Sequence, residues 1–117
     1  MKIFKYLILI CCFIFLTSCI KNNATTQNIL DGKITIFYGS TCPHCKIVTD
    51  YIIENKLMEK LPIQELEVYE NKDNQKILQK VATECKLDQN NIGVPLLYEN
   101  GQCLIGDQPI IDYLKTK

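Results

Sequence analysis

The sequence predicts an α/β domain over residues 30–117, ordered strand, helix, strand, helix, hairpin, helix. Three observations predict it. A short apolar run, Ile34 to Tyr38, ends in the breakers Gly39-Ser40 and reads as a buried strand. Two later stretches repeat their apolar residues at helical spacing. Asn100-Gly101 sits between two apolar runs, a strong signal for a tight hairpin.

Taken in order, the first strand spans Lys33 to Tyr38. The first helix begins at Pro43, whose missing N–H costs nothing in a first turn. It is expected to continue to about Glu59, with Ile47, Val48, Tyr51, Ile52 and Met58 on one stripe, before Pro62 stops it. Ile63 to Tyr69 alternates, imperfectly, through Ile63, Leu66 and Val68, and gives a second strand. Asn71 to Lys86 is an amphipathic helix with Ile77, Leu78, Val81, Ala82 and Cys85 on its apolar stripe. Asp88 to Gly93 is a loop, Val94 to Tyr98 and Gln102 to Ile105 form the hairpin, and Asp107 caps a last helix through Leu114. No internal repeat is visible.

The 117 residues carry 13 basic and 13 acidic side chains with no basic cluster, which points away from nucleic acid as a partner. Seven cysteines fall into two groups. Cys11, Cys12 and Cys19 belong to an N-terminal segment that reads as a secretion signal over residues 1–18. Lys2 and Lys5 form its positive end, and Tyr6 to Leu16 is an apolar run too short to cross a bilayer comfortably. Leu16-Thr17-Ser18-Cys19 resembles the lipobox of bacterial lipoproteins, and that resemblance implies cleavage before Cys19 and attachment of a diacylglycerol to its sulfur. An ordinary signal peptide, or an uncleaved anchor running through Ile20, are the other readings. All three place the domain outside the cytoplasm, in the periplasm if the cell has two membranes, where disulfide chemistry is permitted. Residues 19–29 then comprise the lipidated cysteine and a polar tether, with Lys21 to Asn28 expected to be flexible.

The chemistry is concentrated in Cys42-Pro43-His44-Cys45. A strand that delivers a C-x-x-C to a helix N-terminus reads as a thiol–disulfide site. Cys42 stands at or near the N-cap, where unpaired N–H groups and the helix dipole favour a thiolate. Cys45, one turn on, is expected to be more buried and to act as the resolving thiol. An imidazole at His44 adds positive potential, lowers the Cys42 pKa, and so favours the reduced dithiol and an oxidising disulfide. A zinc site is a poor alternative. Zinc needs four ligands, and the chain has one histidine and no second C-x-x-C. The site needs no cofactor beyond the Cys42–Cys45 disulfide itself.

Cys-Pro-His-Cys is similar to the active-site tetrad of periplasmic oxidases that introduce disulfides into secreted proteins. The element order and size resemble the minimal thioredoxin fold of glutaredoxins, βαβαββα, a mixed four-stranded sheet with helices on both faces. Gly93-Val94-Pro95 matches the superfamily's second signature. There, the resemblance implies a cis bond before Pro95 and a backbone edge that, with Val94 and Thr41, binds extended substrate beside Cys42. Two departures leave the subtype open. The first-strand position six residues before Cys42, where thioredoxins carry a buried acid, is Ile36. The Gly-Gly-acid that holds glutathione in glutaredoxins is reduced to Gly106-Asp107. Asp107 is read either as a contact for the glutathione amine or simply as a helix cap. The resemblance implies protein thiols and disulfides as substrates, an unidentified redox partner that resets the site, and an oxidising or a reducing direction. A non-catalytic binding module on the same fold is a further reading. Cys85 reads as a small buried hydrophobe, and Cys103 alternates with Leu104 on a hairpin strand. The two can pair only if the fold brings their Cβ atoms together.

Overall fold

A computed structural model describes residues 24–117; the expected signal segment and Cys19 lie outside the described residues. Among the described residues no helix is long and apolar enough to cross a membrane. The elements are α1 (Ala24–Leu30), β1 (Ile34–Tyr38), α2 (Pro43–Glu54), α3 (Leu57–Lys60), β2 (Ile63–Glu67), α4 (Lys72–Glu84), β3 (Leu96–Glu99), β4 (Gln102–Ile105) and α5 (Asp107–Leu114). The four strands form one mixed sheet in the order β2-β1-β3-β4. β1 runs parallel to β2 and antiparallel to β3, and β3 pairs antiparallel with β4.

Central placement explains why β1 is apolar on both faces. Ile34 and Ile36 point to one side, into a core with Val48 and Ile52 of α2, Leu57 of α3, Leu97, and Ile110 and Leu114 of α5. Phe37 points to the other, packing with Leu30 of α1, Val68, Leu78 and Val81 of α4, and Leu96 and Tyr98 of β3. Removing each such Ile, Leu or Phe side chain from water is worth about 1.5–3 kcal/mol. The sheet is therefore clamped from both faces. The one buried polar side chain among the described residues, Thr35, is satisfied by Gln64, whose Nε2 donates to Thr35 Oγ1 at 2.7 Å. Asn100 and Gly101 both have positive φ, and Glu99 pairs with Gln102, so the hairpin loop has the expected two residues.

Four expectations change. The stretch read as a flexible tether is helical from Ala24, and Leu30 is buried in the core. Gln27 and Asn28 are exposed on α1. Gln64 Nε2 donates to the Ile29 carbonyl and Lys80 Nζ to Thr26 Oγ1, tying α1 to β2 and α4. The first helix does not run to Glu59. It ends at Glu54, and Lys56 takes a left-handed φ of 52° before α3. That break turns the chain so that Leu57 is buried, while Met58 and also Ile47, both expected on the stripe, are about half exposed. β3 starts at Leu96, two residues late, because Pro95 has no N–H to give the ladder.

The fourth change concerns Cys85. It is bonded to Cys103, with the two Cα atoms 6.1 Å apart. Cys85 ends α4 and Cys103 lies in β4 opposite Tyr98, so the bond staples the end of α4 to the hairpin. The bridge spans 18 positions of sequence. A loop of that size constrains the unfolded chain by about 3 kcal/mol. Replacing both cysteines by serine is expected to lower the unfolding free energy by that amount, read from denaturant midpoints. Cys42–Cys45 should still form in the double variant.

Candidate functional site

β1 leaves the sheet at Tyr38, and four residues later the chain is helical. The reversal is a turn closed by Cys42 N–H donating to the Gly39 carbonyl at 3.1 Å. Gly39 is required by a close approach. A Cβ there would overlap the ring of Tyr69, which lies against it. Tyr69 sits just beyond β2, in a loop organised by one carboxylate. Glu67 accepts from the backbone N–H groups of Tyr69 (2.6 Å), Glu70 (3.0 Å) and Asn71 (3.1 Å), and from Ser40 across the chain at 3.3 Å. Asn71 then caps α4 through two further N–H groups. The loop before Cys42 and the loop before α4 are thus held by a single side chain.

Cys42 is the N-cap of α2. Its backbone is extended and its Sγ accepts from the Cys45 N–H at 3.2 Å. Pro43 follows as the first helical residue. Cys42 and Cys45 are bonded to each other, with Cα atoms 5.2 Å apart. Cys42 is partly accessible, whereas Cys45 is 2% exposed. Above Cys42 lies the turn into β3. The Val94–Pro95 bond is cis, Pro95 is fully buried, and the Val94 carbonyl oxygen is 3.7 Å from Cys42 Sγ. Thr41 is exposed beside them. Ile36, in the position where an acid was absent, is buried within the apolar core.

His44 is placed differently from the simple expectation. Its ring has a partner on another helix: Nδ1 is 3.1 Å from Asp107 Oδ2. Asp107 is the first residue of α5 rather than its cap, a position taken by Gly106 at a φ of 95°. Its carboxylate also accepts from Gln108 N–H at 2.9 Å. The hydrogen bond from His44, then that from Gln108, hold the Asp107 carboxyl below the usual aspartate range. The neighbouring cation Lys46 is engaged by Asp50 on the outer side of α2, with Nζ 2.6 Å from Oδ2.

A crystal structure of glutaredoxin from Archaeoglobus fulgidus superposes with a TM-score of 0.52 over 84% of this chain and 96% of that one, at 20% identity. The fold is thioredoxin-like. No protein-family model matches the chain, and no curated protein is similar enough to count as a relative.

The sequence brought Cys42, Pro43, His44, Cys45, Val94 and Pro95 into view, and the structure gathers all six at one end of the sheet. Glu67 and Tyr69 were missed as site residues. The one available signal was Gly39, whose lack of a side chain marks a close neighbour without naming it. Asp107 was in view, but its partner was not.

Glu67 gives the site a pH dependence. Partial burial pushes its carboxyl up, but the N–H groups of Glu70, Tyr69, Asn71 and Ser40 more than reverse this, leaving it below the usual glutamate range. A lowered folded pKa stabilises at pH values above the unfolded one and is lost as pH falls through the folded value. The contribution is therefore complete above about pH 5 and disappears below it. In Glu67→Gln, the melting temperature is expected to be lower at pH 7, and the difference from the parent should shrink on titration from pH 5 to 3.

Proposed function

We propose that this protein is a thiol–disulfide oxidoreductase whose working group is the Cys42–Cys45 pair. One observation carries the reading: an accessible Cys42 caps a helix, is bonded to a buried Cys45, and lies beside the carbonyl before a cis proline. The helix N-terminus and the Cys45 N–H favour negative charge on Cys42 sulfur, which makes it both the better leaving group and the thiolate of the reduced pair. The open backbone edge at Val94 offers an extended polypeptide a place to pair.

In the oxidising direction a substrate thiolate attacks Cys42 Sγ. The Cys42–Cys45 bond breaks, and Cys45 leaves and takes up a proton. A second substrate thiol, as thiolate, then attacks the mixed disulfide and releases Cys42 as thiolate. Two electrons pass from the substrate dithiol to the protein, and a redox partner must remove them. In the reducing direction Cys42 attacks a substrate disulfide and Cys45 resolves it. The potential decides between the two. The Cys-Pro-His-Cys tetrad supports the oxidant, while the engagement of His44 by Asp107 supports a more reducing site. If Cys45 resolves, Cys45→Ala should accumulate mixed disulfides on Cys42, seen as thiol-sensitive adducts on non-reducing gels. Cys42→Ala should accumulate none. Adducts on Cys42→Ala alone would reverse the two roles.

The same proposal places the domain on the extracytoplasmic side of a membrane, anchored through a lipid on Cys19. Leu16-Thr17-Ser18-Cys19 and the short apolar run before it support this. Cys19→Ala is expected to leave the precursor uncleaved or release the protein from the detergent phase. Unchanged membrane partition at precursor length would indicate an uncleaved anchor instead.

A further inference from the structure

We propose that Asp107 is the positioning residue for His44, and that the pair sets the redox poise of Cys42–Cys45 as one unit. The inference rests on the thiol–disulfide reading above and extends it to what tunes the site. Its basis is geometric. His44 is in the first turn of α2 and Asp107 in the first turn of α5, and the two helices are locked together beneath them by Val48, Ile52, Ile110 and Leu114. The ring is therefore met by a carboxylate held by a separate rigid element, at 3.1 Å. That carboxylate is also steadied by the Gln108 N–H and is 29% exposed, against 68% for the ring.

An exposed ion pair contributes little to stability. Its effect on a neighbouring sulfur is another matter, because charge near Cys42 decides how well the thiolate is held. Two other charged groups near this end of α2 have partners of their own. Lys46 is paired with Asp50, and the Glu67 carboxylate is spent on four backbone N–H groups, one of them that of Ser40. His44 and Asp107 form a separate pair that joins α2 to α5. Asp107 directs the imidazole to α5 and supplies a negative charge that offsets any positive charge on it. The histidine of the tetrad is thereby restrained as an oxidising device. Removing the Asp107 charge removes that offset.

The test is an equilibrium read on the site itself. Two glutathione molecules reduce the Cys42–Cys45 bond to give glutathione disulfide, the Cys42 thiolate, the Cys45 thiol and one released proton. Asp107→Asn is expected to shift that equilibrium toward the dithiol at least threefold, equivalent to about 14 mV for a two-electron couple. The ultraviolet midpoint of the Cys42 thiolate should fall by about half a pH unit, and the His44 ring resonances should move. Asp107→Glu should restore the parent values. In a His44→Ala background the effect of Asp107→Asn should differ from its effect in the parent, because the two residues act together. An unmoved equilibrium and midpoint would overturn the proposal. So would an equal shift in both backgrounds, which would make Asp107 merely a charge on α5. Because glutathione is only the redox buffer, these readings need no protein client. Failure to trap protein substrates would count against the proposed function and leave this coupling standing.

Discussion

The chain leaves a largely buried strand at Tyr38 and must begin a helix at Pro43, and the geometry of that short passage governs the rest of the site. Gly39 permits the turn because Tyr69 occupies the space a side chain would need. The turn then presents Cys42 at the α2 N-terminus, where the N–H groups of the first turn lack helical partners. A sulfur at that point is favoured as an anion by backbone geometry alone, before any charged residue acts. Cys45 follows one turn on, facing inward because Val48 and Ile52 on the same helix are buried against β1.

Charge is superimposed on this frame from two other elements. Glu67 is consumed in ordering the backbone around Ser40 and Tyr69, so its negative charge is matched by local N–H dipoles. Asp107 is directed at His44 instead. The same tetrad can therefore serve different redox directions according to what stands opposite its histidine. Sequence motifs of four residues do not contain that information.

Stability and reactivity are divided between the two faces of the sheet. On the α2 and α5 side the apolar core fixes the two helices whose N-termini meet at the site. On the α1 and α4 side a second core and the Cys85–Cys103 bond secure α4 to the hairpin. The second disulfide lies opposite Tyr98, which pairs with Thr35, whereas the active pair lies beyond the other end of β1. Its role in this arrangement is a staple between elements, and it stands apart from the exchange chemistry.

By itself the sequence determined what depends on neighbours in the chain. Buried central strands are continuous apolar runs, amphipathic helices repeat at 3.6 residues, Asn-Gly fits a two-residue hairpin, and a C-x-x-C after a strand caps a helix. Those rules located β1, α4, the hairpin and Cys42–Cys45. Tertiary structure decided whatever needed a partner distant in sequence. Leu30 makes a polar-looking stretch helical by reaching the core, and Leu57 breaks the first helix by turning inward. Cys85 and Cys103 meet only because α4 shares a core with β1 and β3, which brings its end to the hairpin, and His44 finds Asp107 only because α2 and α5 share a core. Local pattern encodes local structure. Pairings across 18 or 63 positions arise from packing, and packing is a property of the whole fold.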